Sequence, residues 1–283
     1  MAEKFQGANP DVSISVNGPG TTDGFALFCS GESDISDASR PIKEEEMAEC
    51  NKNGIDYVEL KVAIDGISVI TSPENTAVEC LGFEDLYALL GPESEGFENW
   101  SDAESLAEEL GSEHLPYPDA PLVVTAPGEE SGTWGSFIEI ALESIGEERG
   151  IEEVATRPDY QSSPNDNVIL EGIAGSPSSL GWVGFAYYEQ TQGATRAIPI
   201  DGGEGECVAP TPETISDGSY PLARDLFIYV NTAMAGENDA LAAFVDFYLS
   251  EEGLASVGEV GYVDQPNEVI ADAIDAWAKN TEA

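Results

Sequence analysis

The chain has 283 residues, 41% of them hydrophobic, enough for one large domain or two smaller ones with real cores, and no apolar run reaches the length of a membrane span. Its 55 acidic and 10 basic residues give a formal net charge of −45, which excludes nucleic acid and anionic membrane surfaces as natural partners, because both attract Lys and Arg. The acidic residues are interleaved with apolar ones, so the charge reads as a solvated acidic surface suited to salty surroundings rather than as disorder.

Val12 to Val16 carries apolar residues at alternate positions and reads as a strand, followed by the tight turn of residues 17–24 and a helix beginning around Phe25 to Phe28. Ser39 and Pro41, the acidic turn Glu44 to Glu46 and the closing Gly54 predict a helix from about Arg40 to Asn53. Tyr57 to Val62 and Ile67 to Ile70 read as two strands separated by Asp65-Gly66. Val123-Val124 ends a further strand. From Ser131 onward, Trp134, Phe137, Ile138, Ala141, Leu142 and Ile145 recur at three- and four-residue spacing and mark the clearest helix. A short helix at Val168 to Ala174 follows, then strands at Trp182 to Phe185, Ala197 to Ile200 and Leu226 to Val230. Two amphipathic helices, near Ala240 to Leu249 and Val269 to Ala278, close the chain. This alternation predicts an α/β architecture with largely parallel sheets, in which ligands sit where strands turn into helices.

Three turns of that kind, at 18–24, 36–41 and 127–133, offer hydroxyls beside helix starts: Thr21 and Thr22, then Ser39 with Arg40, then Ser131, Gly132 and Thr133. Unpaired N–H groups and the positive end of the helix dipole suit a tetrahedral oxyanion. Arg40 adds a bidentate donor. For any one turn, ordinary helix capping by Ser or Thr is the commoner role. Arg157 and Arg224 are second candidates, against ordinary ion pairing. Enzyme readings fare badly. His114, in a Pro-flanked loop, is the sole histidine; no G-x-S-x-G elbow, Walker loop or dinucleotide fingerprint is present. Carboxylate pairs such as Asp34 and Asp37 are too common in so acidic a chain to signal anything. Metal clusters fail on the same ground, and no cofactor is expected. Cys29, Cys50, Cys80 and Cys207 fit neither paired C-x-x-C zinc sites nor a redox motif; two disulfides in an oxidising compartment are the preferred reading, with three pairings open and buried free thiols the alternative.

At these same turns the chain resembles the PstS family, the phosphate-binding proteins of bacterial phosphate ABC importers. The matching stretches are GPGTTDGF (18–25), FCSGESDISDASRPI (28–42), VAIDGISVI (62–70), SGTWGSF (131–137), RPDYQSSPNDNVILEGI (157–173), LGWVGFAYYE (180–189) and PLARDLFIYVN (221–231), in family order. The resemblance implies a two-lobed α/β receptor of the periplasmic-binding-protein type (type II) that closes like a hinged clam, with no enzymatic activity. It places residues 1–72 plus 228–283 in lobe 1 and 73–227 in lobe 2, with crossing strands near Ile67–Thr71 and Phe227–Val230. It implies phosphate contacts from Thr21, Thr22, Ser39, Arg40, Ser131, Gly132 and Thr133. Asp65 would accept a proton from phosphate and so reject sulfate; the alternative for it is an ordinary turn aspartate before Gly66. It also implies the pairs Cys29–Cys50 and Cys80–Cys207, each worth on the order of 3 kcal/mol.

Two departures stand out. Some relatives carry an arginine ahead of the S-G-T motif, where this chain has Ala126-Pro127-Gly128-Glu129-Glu130; Arg40 would replace it. Relatives also begin with a signal sequence, a strand and a contact turn, whereas this chain starts at what resembles the helix after that turn. A truncated chain lacking one strand and one contact loop is the expectation. The partners expected are inorganic phosphate and a membrane permease, for a monomer that is periplasmic or at the cell surface. The alternatives are a receptor of the same fold for sulfate, molybdate or tungstate, a phosphate-ester hydrolase, or an adhesion protein that has lost transport.

Overall fold

The computed structural model describes residues 1–18, 20–191 and 193–281; Pro19, within the expected first turn, and Gln192 lie outside them. The chain divides into two compact units, Met1–Asp65 with the segment from Arg224 onward, and Gly66–Ala223.

The first unit opens with α1 (Ala2–Ala8), α2 (Thr21–Cys29), β1 (Ile35–Ala38) and α3 (Glu44–Asn53). Residues 12–18 form no strand. Their alternate apolar residues gain nothing by pairing, since Val16 remains 70% exposed. α3 starts later than Pro41 suggested, at Glu44, because the Glu46 carboxylate reaches back to the Lys43 N–H at 2.8 Å and fixes the first turn there. It ends on Gly54 in the left-handed conformation, φ +72°. Cys29 at the end of α2 bonds to Cys50 in α3, tying the two helices together.

β2 (Tyr57–Thr71) then runs through Asp65-Gly66 without a break, where two strands were expected. Asp-Gly is a turn signal only when the chain can reverse. Here Gly66 is closed in, an added Cβ lying 3.1 Å from Ile215 and 3.3 Å from Phe185, so extended backbone packs where a turn would not fit.

The second unit takes the end of β2 and continues with β3 (Leu81–Gly82), α4 (Phe83–Leu90), α5 (Glu104–Leu110), β4 (Val123–Ala126) and α6 (Gly132–Phe137). α6 passes through a single wide turn, Ile138–Leu142, into α7 (Glu143–Glu148). β5 (Gln161–Ser162), α8 (Asp166–Ala174), β6 (Ser179–Gly184), α9 (Phe185–Gln190), β7 (Arg196–Ala197), β8 (Ile200–Asp201), β9 (Cys207–Val208) and α10 (Pro212–Ser216) complete it. β6 runs antiparallel to the end of β2, with Val69 opposite Trp182, and parallel to β4, which is parallel to β5. β7 also pairs antiparallel with β2. A small separate sheet joins β3, β8 and β9, and the Cys80–Cys207 disulfide spans it. The sheets are therefore mixed rather than largely parallel, because the partners of β2 in this unit both run against it.

β10 (Ala223–Asn231) returns the chain to the first unit, followed by α11 (Thr232–Glu237), α12 (Asp239–Tyr248), α13 (Glu251–Glu259) and α14 (Asn267–Thr281). β10 is paired antiparallel with β1, Asp37 facing Ile228. Its side chains alternate between two cores. Phe227 and Tyr229 pack with Phe25, Phe28, Cys29 and Cys50, while Ile228 and Val230 pack with Leu60, Val62, Leu241, Val245 and Trp277. One buried strand thus fixes α2 and β1 on one face, which is where the hydroxyl-rich turns at 18–24 and 36–41 lie.

Candidate functional site

In the first unit the site is built at the start of α2. Gly20, at φ +91°, turns the chain into the helix, and among the described residues no side chain caps the first turn. Thr21 Oγ1 accepts the Ser39 backbone N–H at 3.2 Å and lies 3.0 Å from Ser39 Oγ, so the helix start and the end of β1 are locked together. Arg40 Nη2 donates to Thr22 Oγ1 at 3.1 Å. The same guanidinium holds Glu46 through two bonds, of 2.9 and 2.7 Å, and lies 5.4 Å from the Phe25 ring centroid. Burial pushes the Glu46 carboxyl up, but the Arg40 and Lys43 contacts outweigh it and hold its pKa below the ordinary value. A half-buried cation is therefore fixed beside uncapped helix N–H groups. Thr21, Thr22, Ser39 and Arg40 come together as one cluster.

Asp37 belongs beside this cluster, although nothing in so acidic a sequence singles it out. It stands two residues before Ser39 on extended backbone, between the buried Ser36 and Ala38. Water reaches its side chain, yet the protein packed around the carboxyl raises its pKa. No sequence signal marks it; the alternation within Ile35–Ala38, buried at Ser36 and Ala38 and open at Asp37, is visible only in the fold. Asp65 is buried within β2, with its carboxylate 3.7 Å from Arg224 Nε. Burial, then Asp65, then Asp37 raise the Tyr262 pKa, with Arg224 acting against them. Both carboxylates and Arg224 thus share one electrostatic neighbourhood. Glu46 is the other residue that sequence reasoning left as a mere helix-start signal; its three-residue spacing from Lys43 was the clue.

The second unit offers a different helix start. Ser131 is the N-cap of α6; its Oγ accepts the Thr133 N–H at 3.2 Å, and its own N–H bonds Gly128 O at 2.9 Å. Ser131 and Thr133 are half-buried and Gly132 is exposed. Behind the turn, Tyr160 Oη donates to Pro127 O at 2.5 Å and Trp134 Nε1 to Thr156 Oγ1 at 3.1 Å. No cation lies within residues 127–137, and Glu129 and Glu130 precede the cap.

The other arginines serve the frame. Arg157 is 4% exposed and bonds Asp159 at 2.6 and 2.9 Å and Phe97 O at 2.8 Å, which holds the Asp159 carboxyl down to about 2. Arg196 donates to Asn75 O and Val78 O, both at 2.6 Å, and Arg149 pairs with Glu93 and Glu109. Both disulfides form the pairs that the resemblance implied.

Residues 1–252 match a family described as a PBP superfamily domain. Protein SphX of Synechocystis is 39% identical over 266 residues, 93% of this chain and 73% of that protein. The phosphate-binding protein PstS of Staphylococcus haemolyticus is 31% identical, covering 97% of this chain and 79% of its own length. This chain belongs to the PstS family. Its structure superposes on that of a possible phosphate-binding protein from Planctomyces limnophilus with a TM-score of 0.88 and 36% identity, over 99% of this chain and 92% of that one. The fold is accordingly the two-lobed type II fold of the periplasmic binding proteins. Among the described residues, no helix is long and apolar enough to cross a membrane.

Proposed function

We propose that this chain is an extracytoplasmic receptor that captures inorganic phosphate and delivers it to the membrane permease of an ABC importer, without catalysing a reaction. The observation that carries the reading is the start of α2, where the guanidinium of Arg40, held by Glu46 and by Thr22, stands beside a helix turn with no side-chain cap. Such a start meets a tetrahedral oxyanion with backbone donors, hydroxyls and one fixed positive charge, whatever the net charge of the chain.

The proposed contacts on the first unit are Thr21, Thr22, Ser39 and Arg40, with Asp37 or Asp65 as the acidic acceptor. On the second unit they are Ser131, Gly132 and Thr133. The acceptor gives the discrimination: a carboxylate pairs with an oxyanion that still carries a proton and repels one that does not, which favours phosphate over sulfate. The lobes are assigned as residues 1–72 plus 228–283 and 73–227, and the working form as a monomer in the periplasm or at the cell surface.

Calorimetry with phosphate and with sulfate near neutral pH tests this reading. Phosphate is expected to bind at least tenfold more tightly; equal or tighter sulfate binding refutes the assignment. Turnover of a chromogenic phosphate ester that disappears in Ser131→Ala would instead establish a hydrolase.

A further inference from the structure

The second unit contains a cluster of metal-ligating side chains that phosphate binding does not use. Cys80, His114 and Cys207 each place a ligand atom within 4.8 Å of the other two, the one such group of three among the described residues. The small sheet brings them together: Cys80 precedes β3, Cys207 opens β9, and both strands pair with β8. His114 arrives from the loop after α5, and its Nε2 lies 3.4 Å from Asp201 Oδ2. Asp201 is buried and rigidly held, its Oδ1 accepting the N–H groups of Gly203, Glu204 and Gly205 at 2.8, 3.1 and 3.0 Å. A cavity of about 300 Å³ reaches the cluster, lined by Glu79, Cys80, His114 and Tyr117 among others.

We propose that opening of the Cys80–Cys207 disulfide converts this cluster into a binding site for a zinc-class divalent cation. The ligands are the two thiolates and one His114 nitrogen, with Asp201 orienting the imidazole. Ligand atoms around tetrahedral zinc lie about 3.5–3.8 Å apart, given metal–ligand bonds of 2.0–2.3 Å, so once the disulfide opens the two sulfurs must move apart, while the imidazole is already within 4.8 Å of both. A carboxylate behind a ligating histidine fixes its tautomer and raises its basicity, and Asp201 stands in that relation to His114. Two thiolates with an imidazole form a soft donor set that favours zinc over calcium or magnesium.

The switch requires a reductant, a dithiol. Its first thiolate attacks Sγ of Cys207, the more exposed of the pair, and Cys80 leaves as a thiolate. The second thiol of the reductant then attacks the mixed disulfide, freeing Cys207 and leaving the reductant as a cyclic disulfide; two electrons pass to the cystine. Metal binding displaces the thiol protons to solvent.

The test is titration of the full chain with cobalt(II), then zinc(II), before and after reduction by a dithiol later removed by anaerobic desalting. The expected result is one cobalt per reduced chain with thiolate-to-cobalt charge-transfer absorption, displaced by zinc, and none in the oxidised chain. His114→Ala, which retains both thiols, is expected to bind at least tenfold more weakly, and the pair Cys80→Ser with Cys207→Ser to lose the absorption. Equal affinity in reduced wild type and His114→Ala overturns the proposal. So does cobalt binding confined to a chain whose circular dichroism shows it unfolded. Phosphate calorimetry on the oxidised chain is a separate readout, so failure of one reading leaves the other standing.

Discussion

The helix starts of the two units present different donors. At α2 the donors are backbone N–H groups and a guanidinium braced by Glu46 and Thr22. At α6 they are a hydroxyl cap and backbone alone, preceded by two glutamates, while the nearest arginines in sequence, Arg149 and Arg157, are held by Glu93 and Glu109 and by Asp159 and Phe97. The difference teaches that a chain of net charge −45 need not be basic around its anion. At the proposed site one cation held still and several fixed dipoles would suffice, because dipoles cost no counter-charge when the ligand leaves.

The largest expected effect tests whether the arginines really divide into frame and ligand. Arg157→Ala leaves a gap at a buried side chain and the Phe97 carbonyl without its donor, and is expected to lower stability by about 2–3 kcal/mol, since Asp159 is exposed and keeps the Gly96 N–H. Phosphate affinity of the molecules that remain folded is expected to change less than about threefold. Denaturant melts with calorimetry on the same sample check both; a large affinity loss at unchanged stability breaks the comparison. Arg40→Ala is the converse. Its expected loss is about 1.5–3 kcal/mol of phosphate binding, with a smaller fall in stability, and Arg40→Lys should recover the charge but not the bidentate geometry.

Asp37→Asn is expected to weaken phosphate about tenfold and to narrow the gap to sulfate. The pH dependence carries a definite sign. Because burial raises the Asp37 pKa, wild-type affinity should fall, as pH drops, at a higher pH than the ordinary aspartate value of 3.8. For stability, a raised folded pKa gives a contribution present below the unfolded value and lost as pH rises through the folded one. Asp37→Asn should therefore melt no lower than wild type at neutral pH. If instead Asp65→Asn reproduces the ligand effect and Asp37→Asn does not, Asp65 is the acceptor. The smallest effect is expected at the second helix start. Ser131→Ala removes a cap worth about 1 kcal/mol of stability and reduces phosphate affinity a few-fold, read by thermal melts with and without phosphate.

The helices that were legible, α2, α3, α6 with α7, α8, α12 and α14, carry their own signals, whereas α4, α5, α9, α10, α11 and α13 were not singled out. Apolar spacing from Trp134 to Ile145 marks α6 and α7, and Gly54 closes α3 as glycine at that position commonly does. The strands were less legible. Val12 to Val16 alternates without pairing, and Asp65-Gly66 reads as a turn but lies inside β2, because pairing is decided by partners far along the chain. The hydroxyls of the candidate site could be read from helix-start motifs. Asp37 and Glu46 could not, since their roles depend on what surrounds a carboxylate, and the sequence holds 55 acidic residues to choose among.

By itself, then, the sequence determined the acidic surface, about half of the helical segments, the hydroxyl-bearing turns and, through its motifs, the family. These are local properties, written in spacing and composition. Tertiary structure alone decided the brace of Arg40 on Glu46, the burial of Arg157, the raised carboxyl of Asp37 and the gathering of His114 onto the Cys80–Cys207 disulfide. Each of these joins residues that have no periodic relation, and each rests on desolvation or on a fixed distance, which only the packed chain defines.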